Sequence, residues 1–487
     1  MKGKLFFFTG ILFCILLAPL GAEDDFGFGF ADEGDAAGAA ASPVSSLVSG
    51  IRIGGKIRAE LLGYVDDSNF KAAFENTLGN IFSGQLEFSA YGENADGVIS
   101  LKLKPVFDGS SSPVEIDEAY ARAYFGSFSI EGGLRKLTWG KADSLGPLDV
   151  VNPLDYRDLT SITDIQSMKI ARPMIHLSYG FGDFSKLEAV FIPWFQGHRF
   201  DDKGHWIPAE VYELPARITQ GGSRWLYESS PPGTPQAQID GVIANFSSAP
   251  LGIDYPETLS MDYSQAGLRF TTTWLSADLG FQYYFGRLPR PAVSLAGLKT
   301  FWQQYATGVP PVVTPSIVYN PYHQIGVDYA MVLGGFNLRA EAAAHITEDL
   351  SGEDGGVYNP FLAWSLGFDR DLLWGINLNL QVNETIRLLD SGVMDNPALD
   401  TEAGKEMTST RFTGVLSKKF FRDELELRTA VIWGIEDRDV YVLPGIFWTR
   451  GDVGLEFSGG IFGGNKKGEL GQYHESNFVK LGLTYTF

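Results

Sequence analysis

Past residue 50 the hydrophobic positions fall on every second residue. Ile51, Ile53, Ile57, Ala59 and Leu61 share one side, while Arg52, Lys56, Arg58 and Glu60 share the other. A helix would spread those charges around its circumference, whereas an extended strand lines them up on one face. The same period recurs at 80–92, 97–107, 114–125, 128–139, 174–181, 185–194, 262–274, 277–287, 323–333, 336–347, 361–369, 372–388, 411–421, 424–436, 440–448, 453–462 and 477–487. With the opening segment this makes about 18 strands, each near the length that crosses a bilayer when tilted. The last is the clearest: Val479, Leu481, Leu483, Tyr485 and Phe487 point one way, and Lys480, Gly482, Thr484 and Thr486 the other.

The links between segments sort by parity. Those after even-numbered segments (92–96, 126–127, 182–184, 275–276, 334–335, 370–371, 422–423 and 449–452) are turn-sized and built from Gly, Asp, Asn or Ser. Those after odd-numbered segments are mostly long: 140–173, 195–261, 288–322, 348–360, 389–410 and 463–476. A soluble sandwich has no reason to sort its loops in this way. The pattern predicts an all-β, transmembrane, antiparallel up-and-down β-barrel of about 16–18 strands, with short periplasmic turns and long extracellular loops. Aromatic residues near segment ends, among them Trp139, Trp194, Trp274, Tyr283, Trp374, Trp433, Trp448 and Phe487, suit rings at headgroup depth.

Composition narrows the setting. Lys2 and Lys4, an apolar run over 5–17 and small residues at Gly21-Ala22 have the layout of a secretory signal, so the expected division is signal peptide 1–22, flexible periplasmic segment 23–49 and outer-membrane barrel 50–487. The single cysteine, Cys14, falls inside the signal, which removes disulfide, thiol and cysteine–zinc chemistry from the mature chain. No apolar run beyond the signal is long enough for a spanning helix. The formal charge of −21 makes nucleic acid an improbable partner.

The terminal strand, ending on Phe487 with an aromatic two positions before it, resembles the last strand of bacterial outer-membrane β-barrels. That resemblance implies that the insertion machinery reads this strand, which then pairs with the first. A second resemblance spans 118–194. Glu118-Ala-Tyr, Trp139-Gly140 with Asp143 after it, Asp149-Val-Val-Asn152-Pro-Leu-Asp155 and Arg172-Pro173 follow one another as in the outer-membrane family known as domain of unknown function thirteen-hundred-two. It implies a barrel with a large extracellular loop, handling lipid or other hydrophobic cargo beside an exporter, with outer-membrane lipid and a periplasmic or exporter protein as partners.

Read from its residues, 140–173 carries Asp143, Asp149, Asn152, Asp155, Asp158 and Asp164 among Leu145, Leu148, Val150, Val151, Leu154 and Leu159. So apolar a loop is expected to fold into the barrel mouth, as constriction or plug. Opposite it, Arg52, Lys56, Arg58, Lys102, Lys104, Arg122 and Arg135 are expected to face the lumen, since a charge on the lipid face at mid-depth costs about 2–4 kcal/mol. They either line a water-filled pore, with a transverse field toward the acidic loop, or form salt bridges filling a closed lumen. The row Asn377, Asn379, Gln381 and Asn383 suggests a wet interior. His176-x-Ser178 has the spacing of the His–Ser pair of outer-membrane phospholipases, yet Ile175, Leu177, Tyr179 and Phe181 occupy the lipid face, so the pair points into the lumen. Asp201-Asp202 near His198 and His205 is a weak cation signal, and no cofactor motif is present. The expected function is passive diffusion of a small solute without chemistry of its own. A component handling hydrophobic cargo and a lumenal lipid hydrolase using His176 and Ser178 are the alternatives. The long 195–261 loop, rich in Trp and Tyr, reads as a lid that packs on itself.

Overall fold

The computed structural model describes residues 50–65, 82–104, 114–201, 204–248, 254–294, 307, 316–389, 400–402 and 405–487. The expected signal peptide and the segment 23–49 lie outside them, as does Asp202. One 18-stranded antiparallel sheet closes on itself. Its strands are β1 Ile51–Tyr64, β2 Phe82–Tyr91, β3 Ala95–Leu103, β4 Val114–Phe125, β5 Phe128–Arg135, β6 Arg172–Phe181, β7 Ser185–Ile192, β8 Gln265–Trp274 and β9 Ala277–Arg287. They continue as β10 Pro321–Leu333, β11 Phe336–Thr347, β12 Phe361–Leu372, β13 Ile376–Arg387, β14 Thr408–Phe420, β15 Leu425–Gly434, β16 Asp439–Arg450, β17 Val453–Gly464 and β18 Phe478–Thr486.

Every strand pairs with its neighbours in sequence, and the last meets the first from Lys56↔Thr486 to Tyr64↔Phe478. Closure leaves no unpaired edge, which is the condition for strands to sit in hydrocarbon. The apolar half of each alternation turns outward: Ile57 is 54% exposed, Ile325 56% and Leu481 49%. Facing water, each such side chain would forgo roughly 1.5–3 kcal/mol of burial, whereas facing acyl chains it forgoes none. No described helix is long and apolar enough to cross a membrane.

Alternation is interrupted once on the wall that matters below. Between β3 and β4 the register shifts, Ser100 pairing with Glu118 and Leu101 with Ile116, so Asp117 is an extra residue in a β-bulge. Val114 and Ile116 face out before it, and both Asp117 and Glu118 bring their carboxylates to cations of the lumen wall.

The packed core lies inside the barrel rather than between layers. One cluster joins Leu137, Trp139 and Val151 of the link 136–171 to Met174, Val190, Tyr284 and Tyr322 on β6, β7, β9 and β10. A second joins Leu154, Leu159 and Met168 of the same link to Tyr441, Phe462 and Phe478 on β16, β17 and β18, with Leu62 and Tyr64 of β1 against it. Several strand ends differ from the sequence reading by a few residues, and three of them have a visible cause. β5 stops at Arg135 because the chain turns inward and buries Trp139; β8 starts at Gln265 after a 3-10 turn over Met261–Tyr263; and β13 starts at Ile376 after the turn Leu373–Gly375. The long link 193–264 holds two helices absent from the sequence reading, α1 Ala209–Glu228 and α2 Gln236–Ser248, which pack through Leu226 and Val242.

Candidate functional site: a loop docked across the lumen

The link 136–171 crosses the barrel and is held by side chains of the opposite wall. Glu341 of β11, 4% exposed, accepts from the backbone N–H groups of Lys141, Ala142 (2.7 Å) and Leu148 (3.3 Å). A buried carboxylate without such donors would be strongly unfavourable, so this one fixes both the loop's curvature and its depth. Gly140 and Gly146 lie against the same carboxylate, where any Cβ would collide with it. Beside it, Gln324 Nε2 donates to Pro147 O (2.6 Å) and Gln282 Nε2 to Leu148 O (2.9 Å). The Leu148 side chain fills space left by Gly326 of β10.

The polar row on β13 belongs to this dock. Gln381 Oε1 accepts from Asp143 N (2.9 Å) and Ser144 N (3.1 Å), and its Nε2 donates to Ser144 Oγ (2.8 Å). Asn379 Nδ2 donates to Asp143 Oδ2 (2.9 Å), which Arg339 of β11 also reaches at 2.6 Å. Asn377 instead serves the periplasmic end through Asp371 (2.9 Å). Burial raises the Asp143 carboxyl, and Arg339 and Asn379 oppose that rise.

The remaining loop acids are mostly engaged within the loop. Asp149 pairs with buried Lys169 (2.8 Å); Asp155 pairs with Arg157 (2.5 Å) and lies 3.9 Å from Arg199; Asp158 and Asp164 accept from Thr160 N (2.9 Å) and Ser167 N (3.2 Å) as turn caps. Against the effect of burial, which acts to raise it, the Arg157 bonds hold the Asp155 carboxyl below the usual range. Asn152 staples the loop's two arms: Oδ1 accepts from Leu137 N (2.7 Å), and Nδ2 donates to Arg135 O (3.0 Å) and Ile170 O (2.8 Å). Nδ1 of His198, from the next link, accepts from Leu154 N (2.9 Å), which requires a neutral ring on that side.

The cations of β1 to β5 do not stand as a bare wall facing acids across a gap. Carboxylates are interleaved with them on the same face. Asp117 lies 2.8 Å from Lys102 and 2.6 Å from Lys136, Glu131 lies 2.6 Å from Arg122 and 3.1 Å from Arg135, and Glu118 lies 3.1 Å from Arg135. Arg58 pairs with Glu60 (2.9 Å) and with Glu456, which also holds Lys480 (3.0 Å). Arg52 lies over the Tyr91 ring, and Lys56 and Lys104 are exposed. Among the described residues, only Asp143 of the loop acids is tied to the far wall by its side chain, through Arg339 and Asn379.

His176 points into the lumen and is buried; its Nε2 lies 3.2 Å from Glu188 Oε1 on β7, itself 3.3 Å from Lys186. Among the described residues no hydrogen bond joins His176 to Ser178; the imidazole is engaged by Glu188 instead. His205 stacks on Tyr64 at 3.6 Å, and the described residues contain no acid–histidine group that would hold a metal.

No family model matches the chain, and no curated relative does. Similar solved structures include OccAB4 of Acinetobacter baumannii (TM-score 0.47, 9% identity, 90% of this chain and 98% of that one) and the outer membrane channel DcaP of the same organism (0.40, 10%, 90% and 97%). A third is Wzi, a carbohydrate-binding β-barrel involved in group 1 capsule assembly in Escherichia coli (0.45, 12%, 89% and 84%). The architecture itself rests on the strand pairing: the chain is a closed, outer-membrane-type β-barrel with a loop folded into its lumen.

Proposed function

We propose that this protein is a porin-like channel of the outer membrane of a diderm bacterium, through which small solutes diffuse past a constriction made by the link 136–171. The observation that carries the reading is the partial exposure of charged side chains inside the lumen. The loop hydrogen-bonds to the wall from β9 to β13 and packs on the opposite wall through apolar side chains, yet charged side chains of the inner face stay partly exposed: Arg58 (29% exposed), Lys102 (30%) and Arg428 on β15 (34%). Interleaved positive and negative groups along such a path suit a weakly charge-selective aqueous pore better than an apolar conduit. Lipid surrounds the outward belt, and the strand that ends at Phe487 is the segment the insertion machinery would read.

Purified protein in planar bilayers tests this directly. Stepwise conductance, enlarged when Glu341→Ala frees the loop, is the expected result; a barrel that stays silent with the loop freed overturns it. The resemblance over 118–194 favours hydrophobic cargo instead, and a silent barrel that copurifies with lipid would support that alternative. Lipid hydrolysis abolished by Ser178→Ala would support the third.

A further inference from the structure

At the outer end of the barrel, cations from three separate segments converge on one carboxylate. Arg411 lies near the start of β14, Arg290 follows β9 and Lys405 precedes β14; Glu469 comes from the link 465–477. Arg411 Nη2 is in direct contact with Glu469 Oε2, and Arg290 Nη2 lies 3.7 Å from Oε1. Lys405 lies 3.1 Å from Glu210 at the start of α1, beneath the helical pair, and close enough to act on Glu469 as well. Asp437 is the other acid near Arg411, and Tyr156 and Tyr358 flank Arg290.

The arrangement is wet as well as enclosed. Arg290 is 48% exposed and Glu469 45%, yet residues from the links 136–171, 193–264, 288–320, 348–360, 388–407 and 465–477 all act on one another there. Buried ion pairs that merely glue loops together exclude water; these do not. Burial works to raise the Glu469 carboxyl, but Arg411 and Arg290 hold it at about 2, so it stays ionised and resident. Glu210, Asp437 and Glu469 stand against Arg290, Lys405 and Arg411, and Glu469 is the acid in contact with a guanidinium.

We propose that this chamber is an anion-capture site at the outer entrance, built for a carboxylate- or phosphate-bearing solute that displaces Glu469 from Arg290 and Arg411. Glu469 stands in for the solute: it is an anionic oxygen pair with one guanidinium in contact and a second 3.7 Å away, the groups arginine offers to carboxylate and phosphate. Moving it aside leaves an excess cation and frees two forked donors without unfolding any strand, because it is carried on a link rather than on the sheet. The site deepens the channel reading and rests on it for its biological role, though not for its binding chemistry.

The test combines calorimetry on detergent-purified full-length protein with single-channel recording, using citrate, inorganic phosphate and, as the neutral control, glucose. Citrate added on the extracellular side is expected to bind and to interrupt current. Glu469→Gln should tighten citrate binding about 5- to 10-fold by removing the competing charge, and the pair Arg290→Gln with Arg411→Gln should abolish it. Phosphate binding alongside citrate assigns the source to either anion, and citrate alone assigns it to carboxylates. Heat-modifiable migration on gels reports whether each variant has a folded barrel; if Glu469→Gln does not fold, Arg290→Gln alone carries the test through weaker binding. Equal citrate affinity in wild type and both variants, or glucose binding as well as citrate, overturns the site. Citrate binding by a barrel that passes no current sinks the channel reading and leaves the site; current unaffected by citrate, with no heat of binding, does the reverse.

Discussion

At Glu341 a single side chain does what a stretch of backbone pairing does elsewhere: it satisfies three loop N–H groups and so fixes where the loop sits. Glu341→Ala strands those donors, at a cost of about 1–3 kcal/mol for each that stays buried and unpaired. Beyond the larger conductance already expected, protease cleavage within 136–171 should accelerate, while Glu341→Gln, which keeps an acceptor, should lie between wild type and Ala. His198 makes the same loop sensitive to acid. Burial, and then the Arg290 charge, push its imidazole down to about 3 from 6.5, so between those values the unfolded chain binds a proton that the folded chain refuses. Stability from this residue is complete above pH 6.5 and falls as the pH drops toward 3. Melting curves from pH 7 to pH 4 should show that fall, and His198→Asn, which keeps an acceptor that does not titrate, should flatten it. The dock itself was only half legible. Asn379 and Gln381 read correctly as inward and polar, but what they bind lies 236 and 238 positions away in the chain, and nothing local announces such a partner.

Among the elements, the bulge in β4 is the one whose signal was present and unread. Outward apolar positions run Val114, Ile116 and then Ala119, Ala121, Ala123, a change of parity that requires one extra residue between them. The extra residue is Asp117, and it supplies the carboxylate shared by Lys102 and Lys136. Asp117→Asn should leave two lumenal ammonium groups without a charged partner and shift the channel toward anions; the reversal potential in a KCl gradient measures it, and no shift would place Asp117 away from the ion path. Helix α1 was likewise readable: Val211, Leu214, Ile218 and Trp225 recur at helical spacing, but Pro215 and the Gly221-Gly222 pair mask it. Gly222 is where Phe246 of α2 packs, and any Cβ there would strike the ring. Gly222→Val should loosen the helical pair, seen as faster proteolysis of 204–248, with heat-modifiable barrel migration unchanged.

For the whole molecule the controlling feature is the outward belt. Leu481, on the last strand and half exposed to lipid, is one of its members. Leu481→Arg should cost about 2–4 kcal/mol in bilayers if it lies near mid-depth, and less toward an interface. Refolding titrations into vesicles would measure this, and a negligible change would mean that the belt does not meet hydrocarbon there. The packed core lies inside the barrel, and the two clusters on opposite walls both include residues of the link 136–171, joined in the second by Trp206, Leu470 and Tyr473 of other links. On the proposed channel reading, passage would be set by how that link is docked, more than by the width of the ring.

Period and parity alone determined that this chain makes strands, how many, which face of each meets lipid and at which end the long links lie. Those properties follow from backbone geometry and from the energy of putting polar atoms in hydrocarbon, and both act within a few residues of one another. Only the tertiary structure decided that Arg58, Lys102, Arg122 and Arg135 of the basic wall are neutralised in place, that a β13 amide row holds a loop and that Arg290, Lys405 and Arg411 meet around Glu469. Each of these depends on residues brought together by closing the barrel, where charge pairing and hydrogen-bond satisfaction, rather than hydrophobic period, select the arrangement.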